Sequence, residues 1–201
     1  MVHHVTLTSY LAIEPLTSAR VLRLTSDDDT NRLTRACVVE ISAAIDALKK
    51  QALPLIIAGN HQYFSVGADL NEIRRLSGPD ALEFARLGQL LMQALENHPA
   101  TTAAAIEGHC MGGGLDLALA CHRRIAAPNA VFGHRGAALG LITGWGGTQR
   151  LPRLIRKGKA LELFVAAEKV SAARALEIGL IDAIAHDPVA EALRQLKTSE
   201  G

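Results

Sequence analysis

Apolar positions along the chain change period several times, and each change marks an element. Leu33, Cys37, Ile41, Ile45 and Leu48 recur at helical spacing and share one face, with Thr30 or Asn31 placed to cap the helix. Phe84, Leu87, Leu91 and Leu95 define a second amphipathic helix, stopped by Pro99. Between and after these lie two short, nearly continuous apolar runs, 54–59 and 101–106. Both end near glycine and read as buried strands. Residues 5–13 and 19–24 read as an opening pair of strands around Pro15 to Ser18. Residues 113–121 look helical and 122–126 extended. From Thr148 onward the pattern is mainly helical, over 151–164, 171–178 and 189–196. Alternation of strand and helix through the middle predicts the α/β class.

Composition narrows the field. The 201 residues suit one compact domain, and 49% apolar with 20% charged residues is a globular balance. Lys and Arg number 21 against 20 for Asp and Glu, so no net field favours nucleic acid or an anionic membrane. The longest uncharged run, Gln51 to Ala68, is broken by polar residues and Pro54 and cannot span a bilayer. Met1-Val2-His3-His4 lacks the pattern of a secretion signal. The three cysteines show no CxxC spacing, which disfavours a disulfide scaffold or a zinc site. The histidines show no H-x-x-x-H pairing either. A cytoplasmic protein with reduced thiols is expected.

Two glycine-bearing turns, each following a buried strand and leading into a helix, carry the candidate chemistry. One is Phe64-Ser65-Val66-Gly67-Ala68-Asp69-Leu70; the other runs from Gly108 through Gly112-Gly113-Gly114 to Asp116. A helix N-terminus presents unpaired N–H groups and partial positive charge. Two such ends meeting at one point would form an oxyanion hole, and small residues let a ligand approach backbone donors. Either turn alone could equally be a tight connection and nothing more. Neither turn matches G-x-G-x-x-G. The run Gly140 to Thr148 lacks the lysine of a phosphate-cradling loop, and G-x-S-x-G is absent. A serine peptidase would need a serine at the second turn, which has none.

These turns, with Phe132-Gly133, Gly140-Leu141, Gly144 to Leu151 and the later Ala175 to Asp182, together resemble the enoyl-CoA hydratase/isomerase (crotonase) family. The resemblance runs in one order from about Asn31 to Asp182. It implies a crotonase-like spiral of ββα units over residues 1–148. A C-terminal helical region over 149–201 would follow, within the same domain or as a shortened trimerisation extension. It also implies an acyl-CoA substrate, with coenzyme A part of that substrate and no separate cofactor, and a homotrimer or dimer of trimers. The amides of Ala68 and Gly113 would hold the thioester oxygen. Val66, Ala68 and Leu70 would line the adenine pocket, with Gly67, Gly112, Gly136, Gly144 and Trp145 as further substrate contacts.

Two positions depart from the family pattern. Hydratases of this family use two glutamates; the first falls here on Asp116, which retracts the carboxylate by one methylene. The second falls on Gly136, which cannot transfer a proton. Asp116 is then the leading acid/base candidate, with His134 the nearest substitute for the missing group. Arg135 could hold a substrate carboxylate or pair with Asp116. Arg150, Arg153, Arg156, Lys157 and Lys159 form a cluster that could meet CoA phosphates or simply face solvent. Cys110 reads as packing, and Asp69 as a helix cap. Few residues follow Asp182, whereas family members usually continue through helices that cover the acyl site, so either the end is trimmed in this chain or the pocket is more open than usual. Hydration of a 2-enoyl-CoA is the default activity. Isomerisation, decarboxylation of a malonyl-type thioester, and thioester binding without catalysis stand as alternatives.

Overall fold

The computed structural model describes residues 5–198. In chain order its first half comprises β1 (Thr6–Leu7), β2 (Leu11–Pro15), β3 (Arg20–Leu24), β4 (Arg32–Leu33), α1 (Arg35–Lys49), β5 (Leu55–Ala58), β6 (Tyr63–Ser65), β7 (Gly67–Ala68), α2 (Leu70–Ile73) and α3 (Gly78–Glu96). The second half comprises β8 (Thr102–Ile106), β9 (His109–Met111), α4 (Gly113–Ala120), β10 (Arg123–Ala126), β11 (Val131–Gly133), a 3-10 turn (Arg135–Leu139), α5 (Gly147–Ile155), α6 (Lys157–Ala166), β12 (Val170–Ser171), α7 (Ala172–Glu177), β13 (Ala183–Ile184) and α8 (Pro188–Thr198).

Seven strands form the main sheet in the order β1-β2-β3-β5-β8-β10-β13. The β1–β2 and β2–β3 pairs are antiparallel and the rest parallel. Central strands of a parallel sheet are covered on both faces, which is why β5 and β8 read as unbroken apolar runs. A second sheet, β12-β11-β9-β6, and the short pair β4-β7 stand beside it. Each long parallel strand is therefore followed by a short one in another layer: β5 by β6, β8 by β9, β10 by β11. That repeat delivers the two glycine turns to the same place.

The opening hairpin, the two long helices and both buried strands lie where the apolar periodicity puts them. Three local expectations are corrected. Thr34, not Thr30 or Asn31, caps α1, its hydroxyl accepting from Cys37 N–H. Asn31 is buried, and its side-chain amide donates to the Tyr63 and Phe64 carbonyls. The helix expected over 151–164 is two helices, α5 and α6, broken at Arg156, which has φ +71°. The first strand is likewise split, with β1 and β2 separated by residues 8–10.

Asp69 caps α2 as expected, accepting from Asn71 and Glu72 N–H. Cys37, Cys110 and Cys121 are all buried free thiols. Burial pushes Cys37 and Cys121 up to about 12 and Cys110 well above its ordinary value. No helix among the described residues is long and apolar enough to cross a membrane.

Candidate functional site

The first turn brings Ala68 to the end of β7; the second brings Gly113 to the start of α4. Gly112, between β9 and α4, has φ +51° and ψ −119°, a conformation that only glycine adopts without strain. Gly113 N–H is the first amide of α4, so no carbonyl of its own helix can accept from it. The two turns touch. A Cβ on Gly67 would lie 2.8 Å from Gly113 N, and a Cβ on Gly113 would lie 3.4 Å from Ala68 N. Any side chain at 67 would force the turns apart. Gly67 itself is buried and spaces the two turns, and it is not among the residues that border the cavity described next.

Ala68 and Gly113 open onto one cavity of about 880 Å³. That volume is ample for a drug-sized ligand. Val66, Leu70, Gly112, Asp116, His134, Gly136, Gly144 and Trp145 also border it, so the site residues expected from sequence converge apart from Gly67. Its walls are mostly apolar, from Leu, Ile, Ala, Phe84 and Phe164. Trp145 is both packed into the core and part of the cavity wall. It is 5% exposed, packs edge-on against Phe84 with ring centroids 5.3 Å apart, and presents its remaining surface to the cavity. Gly88 makes room for it, since a Cβ there would lie 2.2 Å from the indole.

Asp116, in the first turn of α4, is wholly buried. Removal from water is the main cause of its pKa rising to about 7, against the hydrogen bond from Thr143, the charge of Arg150 and the Gly147 N–H, which pull it down. Thr143 donates its hydroxyl to Asp116 Oδ2. His134, just after β11, places Nε2 at 3.4 Å from Asp116 Oδ1. The two atoms are in electrostatic contact without hydrogen-bond geometry, and neither finds another partner among the described residues. Burial lowers His134 to about 4, so its imidazole is neutral at physiological pH. Its ring leans on Phe164, with centroids 5.0 Å apart. Gly147 closes the group from above: a Cβ there would meet Asp116 Oδ1 at 2.1 Å and His134 Nε2 at 3.0 Å.

Gly136, where the family resemblance would put a carboxylate, sits in a closed turn. Leu141 N–H donates to the Gly136 carbonyl, and a Cβ on Gly136 would fall 2.7 Å from the Leu141 carbonyl oxygen. The turn has closed over the place where a side chain would leave. Arg135 borders the cavity but makes no ion pair with Asp116, contrary to one expectation. Arg150 supplies the nearby charge instead, while itself bonded to Glu96 at 2.7 Å and to the Trp145 carbonyl. It is therefore not free for CoA phosphates, whereas Arg153, Arg156, Lys157 and Lys159 face solvent. Among the described residues no cluster of His, Cys, Asp and Glu is arranged to hold a metal.

Thr143 is the site residue that sequence reasoning missed. It lies in the Gly140–Thr148 run, noted only for lacking a phosphate-loop lysine, and no local pattern links it to Asp116 27 residues earlier.

Comparison with known proteins agrees with this architecture. The chain is 42% identical over 170 residues to a protein of Bacillus subtilis (strain 168) described as a probable enoyl-CoA hydratase, covering 83% of this chain and 66% of that one. It is 36% identical over 167 residues to the crotonyl-CoA hydratase of Syntrophomonas wolfei, covering 82% and 64%. The chain thus spans just under two thirds of the length of these relatives. Among solved structures, DspI of Pseudomonas aeruginosa superposes with a TM-score of 0.90 at 32% identity, covering 95% of this chain and 74% of that one. The enoyl-CoA hydratase of Bacillus anthracis gives 0.89 at 31%, covering 94% and 76%. The enoyl-CoA hydratase/isomerase family model matches residues 17–198, and with a crotonase-like α/β fold the chain belongs to that family.

Proposed function

We propose that this chain hydrates the 2-enoyl thioester of an acyl-CoA, with the amides of Ala68 and Gly113 holding the thioester oxygen and Asp116 moving the proton. Adding water across the double bond draws charge onto that oxygen as the β-carbon is attacked. Two preorganised amides at the developing enolate would each contribute about 3 kcal/mol in the transition state. One carboxylate can serve both halves of the reaction, taking a proton from water and returning it to the α-carbon. Coenzyme A enters as part of the substrate, and no separate cofactor has a role in these steps.

The observation that carries the reading is the position of Asp116, a buried carboxyl with a pKa of about 7 at the cavity that Ala68 and Gly113 share. A proton affinity near the working pH is what a group that both accepts and donates requires. His134, neutral at physiological pH, lies with Nε2 3.4 Å from the same carboxyl.

The test is turnover of crotonyl-CoA by the wild type and by Asp116→Ala. Loss of turnover by roughly 10²- to 10⁴-fold, with the dissociation constant for acyl-CoA kept within about 2-fold, is the expected result. Gly136 favours one competing reading, a thioester-binding protein without catalysis. A wild type that binds acyl-CoA but leaves crotonyl-CoA unchanged would establish that reading instead.

A further inference from the structure

The carboxyl assigned to proton transfer borders the cavity, yet none of its own surface is exposed there. Asp116 has 0% of its surface exposed, and its two oxygens are covered from different sides. His134 and Gly147 close over Oδ1. Thr143 covers Oδ2 with its hydroxyl, which donates to that oxygen. Thr143 is only half-buried and borders the cavity beside Gly144 and Trp145. Its oxygen also lies 3.5 Å from Trp145 N, where a backbone N–H can only donate. That contact occupies one lone pair and directs the hydroxyl proton to Asp116. A hydroxyl has one proton and two acceptor sites, so one site is left to accept from the cavity.

We propose that Thr143 is a catalytic residue whose hydroxyl passes the proton between the attacking water and the Asp116 carboxylate. The inference rests on the hydratase reading above. In the forward step an O–H bond of water breaks as its oxygen bonds to the β-carbon. That proton goes to Thr143 Oγ1 while the threonine's own proton moves to Asp116 Oδ2. The π pair shifts to the α-carbon and thioester oxygen, giving the enolate. In the second step Asp116 returns its proton to Thr143, and the threonine's other proton bonds to the α-carbon as the enolate collapses. The product has gained one water, and both side chains are restored.

The groups facing this carboxyl are few. Arg150 on α5 and the Gly147 N–H pull its pKa down together with Thr143, His134 follows β11, and Cys110 on β9 senses its charge. The threonine hydrogen bond is the largest of the influences that oppose burial. Removing it raises the Asp116 pKa further, a change that a packing role for Thr143 would not produce.

Thr143→Val keeps the shape and deletes the hydroxyl; Thr143→Ser keeps the hydroxyl and deletes the methyl. With crotonyl-CoA, the valine variant is expected to lose kcat by about 10²-fold while KM and acyl-CoA affinity stay within about 2-fold. The serine variant should keep kcat within about 10-fold, and the pH limb belonging to Asp116 should move upward in the valine variant alone. A valine variant with parental kcat overturns the relay and leaves the hydratase reading standing. Equal losses in both variants with an unmoved pH limb also overturn it. A parent that binds acyl-CoA without hydrating it removes the underlying reading, and the relay with it.

Discussion

Asp116→Asn is expected to fold more stably than the parent at about pH 8 while losing the proposed hydration activity by roughly 10²-fold or more, because an amide cannot take up the proton. Burial raises the carboxyl from 3.8 to about 7. A folded-state pKa above the unfolded one means that the protonated form is favoured in the fold. That contribution is complete below about pH 4, declines as pH rises through 7, and is gone above it. The shift corresponds to at most about 4 kcal/mol at 1.36 kcal/mol per unit, and the asparagine variant should recover part of it at about pH 8.

His134 has the opposite sign. Its pKa falls from 6.5 to about 4, so its contribution is present above 6.5 and is lost as pH falls toward 4. In the parent the two slopes oppose one another between those limits. The variant keeps only the histidine slope, so its stability should climb from about pH 4 to 6.5 and then level off. Urea unfolding of both proteins across this range checks the point. A variant no more stable than the parent at about pH 8 would mean that the carboxyl bears no desolvation cost. Such a trade of stability for function at one site is common in enzymes.

Gly108→Ala should produce the largest loss of stability, about 3 kcal/mol or more, from overpacking combined with left-handed strain. Gly108 has φ +58°, and a Cβ there would lie 1.9 Å from the Gln62 carbonyl oxygen. The obstacle is backbone and cannot swing aside. Gln62 O accepts from His109 N–H, and Gly108 O accepts from Val131 N–H, so this glycine locks β9 to the segments on both sides. Because β9 leads into Gly112 and Gly113, affinity for the proposed acyl-CoA ligand should fall along with the unfolding midpoint. Denaturant titration and ligand binding on the same preparation would show whether the two fall together; parental values for both would contradict the packing seen here.

Long periodic segments were legible because burial itself writes their pattern. The face Leu33, Cys37, Ile41, Ile45 and Leu48 is fully inside, and so are the runs of β5 and β8. The caps were not legible at the same level. Asn31 has the chemistry of a helix cap, but its amide is taken by carbonyls more than 30 residues away. Strands of two or three residues such as β7, β9 and β11 are too short to show any period, and pairing alone makes them strands. Arg156 ends α5 at a positive φ, with no glycine to signal it.

That Ala68, Gly113 and Asp116 meet at one cavity was legible because glycine turns and a family resemblance point to those positions. The Thr143 contact with Asp116 was not legible, because it joins separate chain segments. Gly136 was read as a missing carboxylate, whereas the fold shows a turn closed against Leu141.

The sealed cysteines carry a consequence for handling the molecule. With Cys37, Cys110 and Cys121 inside and their thiolates strongly disfavoured, alkylating reagents have nothing to attack in the native state. Labelling at any of the three therefore clocks an opening event. Mass spectrometry after brief exposure to iodoacetamide would rank how readily α1, β9 and the end of α4 come loose, with no engineered probe.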